Sequence, residues 1–205
     1  MKKLSAYLFL ILFSFQTSSL GSDISDVQID GMSIGDSLLD YYSEKEIKDN
    51  VFKNTYEREK KYTTTEFFDN TNTSKIYDGF YFYYKTYDKN YIIHSISAFI
   101  DYDTYIYKCH KKLNELDKEL SAILNDAKRR RDTSKHPADK SGKSIIKQIS
   151  YDLKSGGGAS IGCINWSSKM DYPDHLLIIL DSKEFRRAMY PDGCGSGSSF
   201  CYNRY

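Results

Sequence analysis

No apolar run in this chain reaches the roughly twenty residues that a helix needs to cross a hydrocarbon core, and no charge of one sign dominates it. The longest apolar stretch, Leu4 to Phe15, follows Met1-Lys2-Lys3 and precedes the small, polar segment Thr17-Ser18-Ser19-Leu20-Gly21-Ser22. A basic head, an apolar centre too short to span and a small-residue tail form the grammar of a secretory signal peptide. Residues 1–21 are therefore expected to be removed on export, with a cut before Ser22 or, as the alternative, after Ser19. No cysteine follows the apolar run, so lipoprotein processing is not expected. Cleavage takes away Lys2 and Lys3, two of 29 basic residues, and none of the 28 acidic ones. A net charge of about −1 excludes a global attraction to nucleic acid. No second apolar segment of spanning length appears, so no transmembrane segment is expected after cleavage.

Proline occurs three times and tryptophan once. With Lys, Tyr, Ile, Asn and Asp abundant, this reads as AT-rich coding before it reads as function. There is no Cys-x-x-Cys pair, and the histidines at 94, 110, 136 and 175 stand in neither i, i+4 nor His-x-Glu spacing, so no metal ligand set is written into the chain. Ser141-Gly142-Lys143-Ser144 resembles the end of a phosphate-binding loop, but the position that needs a glycine is Pro137. Asp69-Asn70-Thr71-Asn72 lacks the glycine and distal glutamate of a calcium loop. Gly156-Gly157-Gly158 is followed by strand-forming residues and reads as a turn. No cofactor is expected, and an enzyme is the least favoured class.

What the chain does have is an even set of cysteines, 109, 163, 194 and 201, which in an exported chain are expected to pair. Three connectivities are open to four cysteines. Cys109 falls on the apolar stripe of a predicted helix and Cys163 on a predicted core strand, while Cys194 and Cys201 bracket Gly-Ser-Gly-Ser-Ser-Phe. The favoured pairs are therefore 109 with 163 and 194 with 201.

Along the chain, Val27 to Tyr42 reads as a brief extended lead and a short helix with Ser33 or Asp36 as its cap. Ser43 and Glu46 form a capping box for a second helix over 44–53. Strands are predicted at 66–68, 79–85 and 91–101, with Asp88-Lys89-Asn90 as a hairpin turn and His94 on the core face with Ile92, Ile96, Ala98 and Ile100. The clearest element is a long helix over 104–128, capped by Asp103. Ile106, Cys109, Leu113, Leu116, Leu120, Ile123 and Ala127 form one stripe along it. A polar loop follows over 130–144, then strands at 145–153, 159–166 and 175–180 and a short helix over 182–189. This predicts an α+β fold: an antiparallel sheet of five or six strands, one long helix packed across it and two short N-terminal helices. The expected organisation is a signal peptide over 1–21, one domain over 22–189 and a disulfide-closed tail over 190–205.

The segment Ile29-Asp30-Gly31-Met32-Ser33-Ile34-Gly35-Asp36-Ser37-Leu38-Leu39 resembles an Ile-x-Gly-Met-Ser-x-Gly-Asp-Ser-Leu-Leu stretch in small exported proteins of marine alphaproteobacteria. More loosely it resembles the opening of BamE-type envelope modules. The resemblance covers a short stretch, implies a compartment outside the cytoplasm and brings no catalytic residues.

Two surfaces are candidates for binding. Lys128, Arg129, Arg130 and Arg131 form a basic patch at the predicted helix end, read first as a complement to the helix dipole and otherwise as a dock for an acidic partner or anionic lipid. The strand Phe80 to Tyr84 is aromatic on both faces. Its phenolic members Tyr81 and Tyr83 tolerate water and are expected to be partly exposed, with Phe80, Phe82 and Tyr84 inside. The favoured function is a non-catalytic exported interaction module with a glycan, peptide or envelope protein as partner. A binder of glycans or peptides through the tyrosine strand and a hydrolase without a motif are the alternatives.

Overall fold

In the computed structural model, residues 23–52, 61–68, 74 and 76–190 are described. The signal segment, Asp69–Asn72, Cys194 and Cys201 lie outside them. Among these described residues nine strands and three α-helices follow in order. They are β1 (Gln28–Ile29), β2 (Met32–Ser33), α1 (Glu44–Asp49), β3 (Tyr62–Phe68), β4 (Gly79–Lys85), β5 (Ser95–Asp101), α2 (Ile106–Ile123), β6 (Lys128–Lys135), β7 (Ile145–Asp152), β8 (Gly158–Asn165), β9 (His175–Asp181) and α3 (Lys183–Met189). The main sheet has seven strands in the order β3-β4-β5-β9-β8-β7-β6, every pair antiparallel. Two meanders, β3-β4-β5 and β6-β7-β8-β9, meet at the β5–β9 seam. Between them α2 carries the chain over β8 and β9 to the far edge.

The sequence-based count of five or six strands is thus wrong, and the strand it lacks is β6. Lys128 to Lys135 reads as a helix end and loop because its residues are almost all charged or polar and, at a sheet edge, almost all exposed. A strand wetted on both faces has no apolar alternation to betray it. It nevertheless pairs with β7 over its full length, from Lys128↔Asp152 to Lys135↔Ile145. The two N-terminal helices are also corrected. Only α1 is an α-helix, with the Ser43–Glu46 capping box in place. The first is a 3-10 turn over Leu38–Asp40, capped by Ser37, preceded by the β1–β2 hairpin. Asp36 accepts the Ser33 amide at 2.8 Å, and the segment hydrogen-bonds the chain before β5 through Gly35 N to Ile93 O and Leu38 N to Tyr91 O, both 3.0 Å. The Gly-Met-Ser-x-Gly-Asp-Ser stretch is therefore a clasp that seats the N-terminal region.

Helix α2 is shorter than predicted. Tyr105, not Asp103, is its N-cap, and no side chain caps it. Leu124 ends it by turning into the core, 2 % exposed. Cys109, Leu113 and Leu120 of the stripe are buried, whereas Leu116 is only partly so. They cover one face of the sheet, where Ile96, Ala98, Ile149, Ala159, Ile161, Leu176, Ile178 and Leu180 are buried. Over β3–β5 the same face is covered by the N-terminal region, with Tyr42 stacked on Phe67 at 3.8 Å and edge-on to Phe82.

Among the described residues, the opposite face is covered at one end only. There α3 lays Phe185 against Tyr62 and Tyr83, with centroids 5.0 and 4.9 Å apart. Arg186 reaches the Gly157 carbonyl at 2.7 Å and Asp152 at 2.5 Å. A Cβ at Gly158 would lie 2.1 Å from the Arg186 guanidinium, so the missing side chain is what admits α3 to the sheet. At the edges, β3 is hydrogen-bonded by the segment after α1, through Phe52 N to Thr64 O and Glu66 N to Asn50 O at 2.9 Å each. The other edge is the charged strand β6.

Candidate functional site

The three arginines of the expected basic patch are ion-paired within the chain while staying at its surface. Arg129 forks onto Asp117 of α2, Nε to Oδ1 at 2.7 Å and Nη2 to Oδ2 at 2.6 Å, and Arg131 donates to the same Oδ2. Tyr151 donates to Oδ1 at 2.6 Å. With these donors around it, led by Arg129, Asp117 is held down to about 2. Arg130 pairs with Asp152 at 2.7 Å. A run read as complementing a helix dipole is instead the set of cations that ties α2 and the sheet to their own edge strand. Cys109 and Cys163 are disulfide-bonded, joining α2 to β8. Together with the lack, among the described residues, of a helix long and apolar enough to cross a membrane, this is compatible with an exported chain.

Chemistry at the histidines is limited by geometry. A bend at residue 94 takes His94 off the core face and puts Ile93 there, fully buried. The His94 ring lies instead against Tyr62, with Nδ1 3.3 Å from Ser182 Oγ and 4.0 Å from Glu184 Oε2. A relay needs the hydroxyl and the carboxylate on opposite ring nitrogens. Here both face Nδ1, and Ser182 Oγ already accepts the Phe185 amide as the α3 cap. Glu184 belongs to Lys61 and Lys85, at 3.0 and 2.9 Å, which hold its carboxyl at about 2. Gly158-Ala159-Ser160-Ile161-Gly162 has the Gly-x-Ser-x-Gly spacing of a nucleophile elbow, but an elbow is a sharp strand-to-helix turn. Ser160 sits in mid-β8, paired with Ser150 and Ile179 and 2 % exposed. The Ser141–Ser144 segment is likewise a structural turn. Asp139 accepts the Ser141 amide, the Ser144 amide and hydroxyl and the Ser167 hydroxyl, all at 2.7–2.9 Å, which keeps its carboxyl well below the usual range. Among the described residues no three His, Cys, Asp or Glu side chains gather as metal ligands.

All four histidines are held below the ordinary imidazole value, each chiefly by burial. As pH falls through about 6.5 the unfolded chain takes up these protons before the folded chain does, so stability declines there. Urea midpoints measured at pH 7.5 and 5.5 should fall with pH. A midpoint that rises on acidification contradicts the assignment.

The uncovered part of the sheet carries an aromatic belt. Phe68 of β3, Tyr81 of β4 and Phe99 of β5 form a triangle with centroids 5.8–6.3 Å apart. Phe99 continues to His175 of β9 at 6.5 Å, His175 to Trp166 at 6.2 Å, and Trp166 to His136 and Tyr172 at 4.2 and 5.1 Å. Phe99 lies close over Gly79, where a Cβ would stand 2.6 Å from its ring. Trp166 Nε1 is 3.4 Å from His175 Nδ1, which is also 3.2 Å from the Pro173 carbonyl. One nitrogen cannot accept and donate in a single tautomer, and the shorter contact favours donation to Pro173. Phe68 and Tyr172 are 50 % and 60 % exposed, and Tyr81 is half-buried. Polar groups lie among the rings. Glu66 pairs with Tyr81 across strands, Ser97 pairs with it on the other side, and Asp101 pairs with His175. Burial raises the carboxyls of Glu66 and Asp101.

Tyr81 and Tyr83, equal candidates in sequence, part company here. Both are half-buried, but Tyr83 packs under Phe185 of α3 while Tyr81 stands in the belt. Nothing local announces Phe68, Trp166 or His175, which with Phe99 come from four separate segments. Phe99 alone has a usable signal, an aromatic out of phase with the apolar Ile96 and Ala98 of its own strand.

No protein-family model, no curated protein and no solved structure matches this chain.

Proposed function

We propose that the chain is an exported, non-catalytic interaction module whose contact surface is the sheet face opposite α2, and that its partner there is a glycan. The observation that carries this reading is the aromatic belt from Phe68 to Trp166 on a sheet face where, among the described residues, α3 is the only helix. Aromatic rings present large area at low entropy cost, and their faces suit the C–H surfaces of sugar rings. The carboxyls of Glu66 and Asp101 supply partners for sugar hydroxyls. An extended peptide would more naturally add to a strand edge, and the edge nearest the belt, β3, is already hydrogen-bonded by residues 50–52. The leader-like sequence over 1–21 and the disulfide support work outside the cytoplasm.

Retention on a glycan array tests this, with Phe68→Ala and Tyr81→Ala as probes. Each is expected to weaken binding at least about tenfold while leaving a cooperative melt, as aromatic anchors do when truncated. Retention of peptides alone, or glycan binding that survives both substitutions, overturns the proposal.

A further inference from the structure

We propose that the cleft between α2 and the β6–β7 hairpin, on the other side of the sheet from the aromatic belt, is a binding site for a small oxyanion-bearing molecule. Because α2 runs mainly over β8 and β9, Arg131 and Thr133 of β6 and Lys147 of β7 stay exposed on its side of the sheet. The resulting cleft, about 520 Å³, is lined by His110, Leu113 and Asn114 of α2 and by Arg131, Asp132, Thr133, Lys147, Gln148 and Ile149 of the hairpin. That volume falls within the range of small-molecule sites.

The register fixes how its polar groups are arranged. Arg131 opposes Ile149 and Thr133 opposes Lys147, and residues two apart on a strand share a face. These four therefore form a patch of two rows on the floor, with Arg131 and Lys147 on its diagonal, about 7–8 Å apart at the backbone. One oxyanion between them can meet both cations, with the Thr133 hydroxyl as a third donor. On the wall, His110 and Asn114 are one helical turn apart and face the same way, so the Asn114 amide adds donors from the other side. Leu113 and Ile149 give the cleft an apolar base for the remainder of the ligand.

The local charge is positive because the nearby carboxylates are engaged. Asp117 is held by Arg129, Arg131 and Tyr151. Asp132 accepts the Thr133 amide at 2.8 Å, and strand alternation puts its side chain on the opposite face from Thr133. Arg131 makes one contact, through Nη2, to Asp117, which leaves guanidinium donors over. Lys147 is exposed and has no ion-pair partner among the described residues. The ring of His110 senses that ammonium: after burial, Lys147 is the next cause that lowers its basicity. An anion seated on Lys147 offsets this, so His110 reports occupancy.

The experiment follows the four histidine ring protons by NMR across a pH series, with inorganic phosphate or butanoate titrated against chloride at constant ionic strength. The expected result is a saturable rise in the basicity of His110 with at least one probe, no matching change at His94, His136 or His175, and loss of the effect in Lys147→Ala. Lys147 is exposed, so that variant should melt as the parent does. The tighter probe tells a phosphoryl from a carboxylate ligand. Failure of both probes to saturate, or a His110 response that persists in Lys147→Ala, overturns the proposal. Either outcome leaves the glycan reading untouched, because the two surfaces lie on opposite faces.

Discussion

Replacing Asp117 by alanine is expected to destabilise the fold by about 3 kcal/mol. Asp117 is 6 % exposed, and its carboxylate accepts from Arg129, Arg131 and Tyr151 at once. Losing one partner of a buried ion pair costs about 3–5 kcal/mol where the remaining charge is trapped. Here the arginine side chains are 36 % and 54 % exposed and regain water, which places the effect at the low end. The buried Tyr151 hydroxyl keeps the Asp117 carbonyl, at 2.9 Å, in either variant. Asp117→Asn preserves the volume and one acceptor and should lose less. The pH dependence has a definite sign. A carboxyl held down to about 2 contributes stability that is complete above the unfolded value near 4 and disappears as pH falls through 2. Urea melts of both variants at pH 7 and of the parent between pH 5 and 2 check this. A loss under about 1 kcal/mol for Asp117→Ala would mean that β6 is held by its backbone pairing and the Arg130–Asp152 pair without need of Asp117.

Removing the Cys109–Cys163 disulfide by alanine at both positions is expected to cost about 4 kcal/mol. The cross-link closes a separation of 54 residues, and restricting an unfolded loop of that size accounts for this amount in the chain-entropy model. Both half-cystines are buried to within 1 %, so truncation also leaves a small void between α2 and β8. Denaturant melts of the double variant against the parent supply the number. A difference below about 1 kcal/mol would show that the unfolded chain keeps α2 near β8 without the bond.

How much of this was legible in the chain depended on whether the signal was local. The stripe Cys109–Leu113–Leu120 repeats within one element, so α2 and its inward face can be read from spacing, and the position of Cys163 on an apolar strand follows by the same logic. The capping box at Ser43 and Glu46 is equally local. β6 fails because its charged residues are stabilised by partners elsewhere, Asp117 a dozen residues before Arg129 and Asp152 on the neighbouring strand. His94 fails because a bend, which no side-chain pattern encodes, turns it away from Ile96. Tyr83 and Tyr81 are indistinguishable until Phe185 arrives from a helix a hundred residues later. The belt is the least legible feature, since it exists only once the registers of β3, β4, β5 and β9 are set.

The two ends of the main sheet have a bearing on how these molecules behave when crowded together. An antiparallel sheet grows by recruiting the same strand from a second copy. At the β3 end that place is already occupied by the chain's own residues 50–52. At the β6 end, a second copy would have to lay Lys128, Arg129, Arg130, Arg131 and Lys135 beside the identical set, and like charges directly opposite one another repel. Among the described strands, then, neither edge of the main sheet is an open, uncharged row on which a second copy could build. The same strand that disguises itself as a loop in the sequence serves as the molecule's stop against polymerisation.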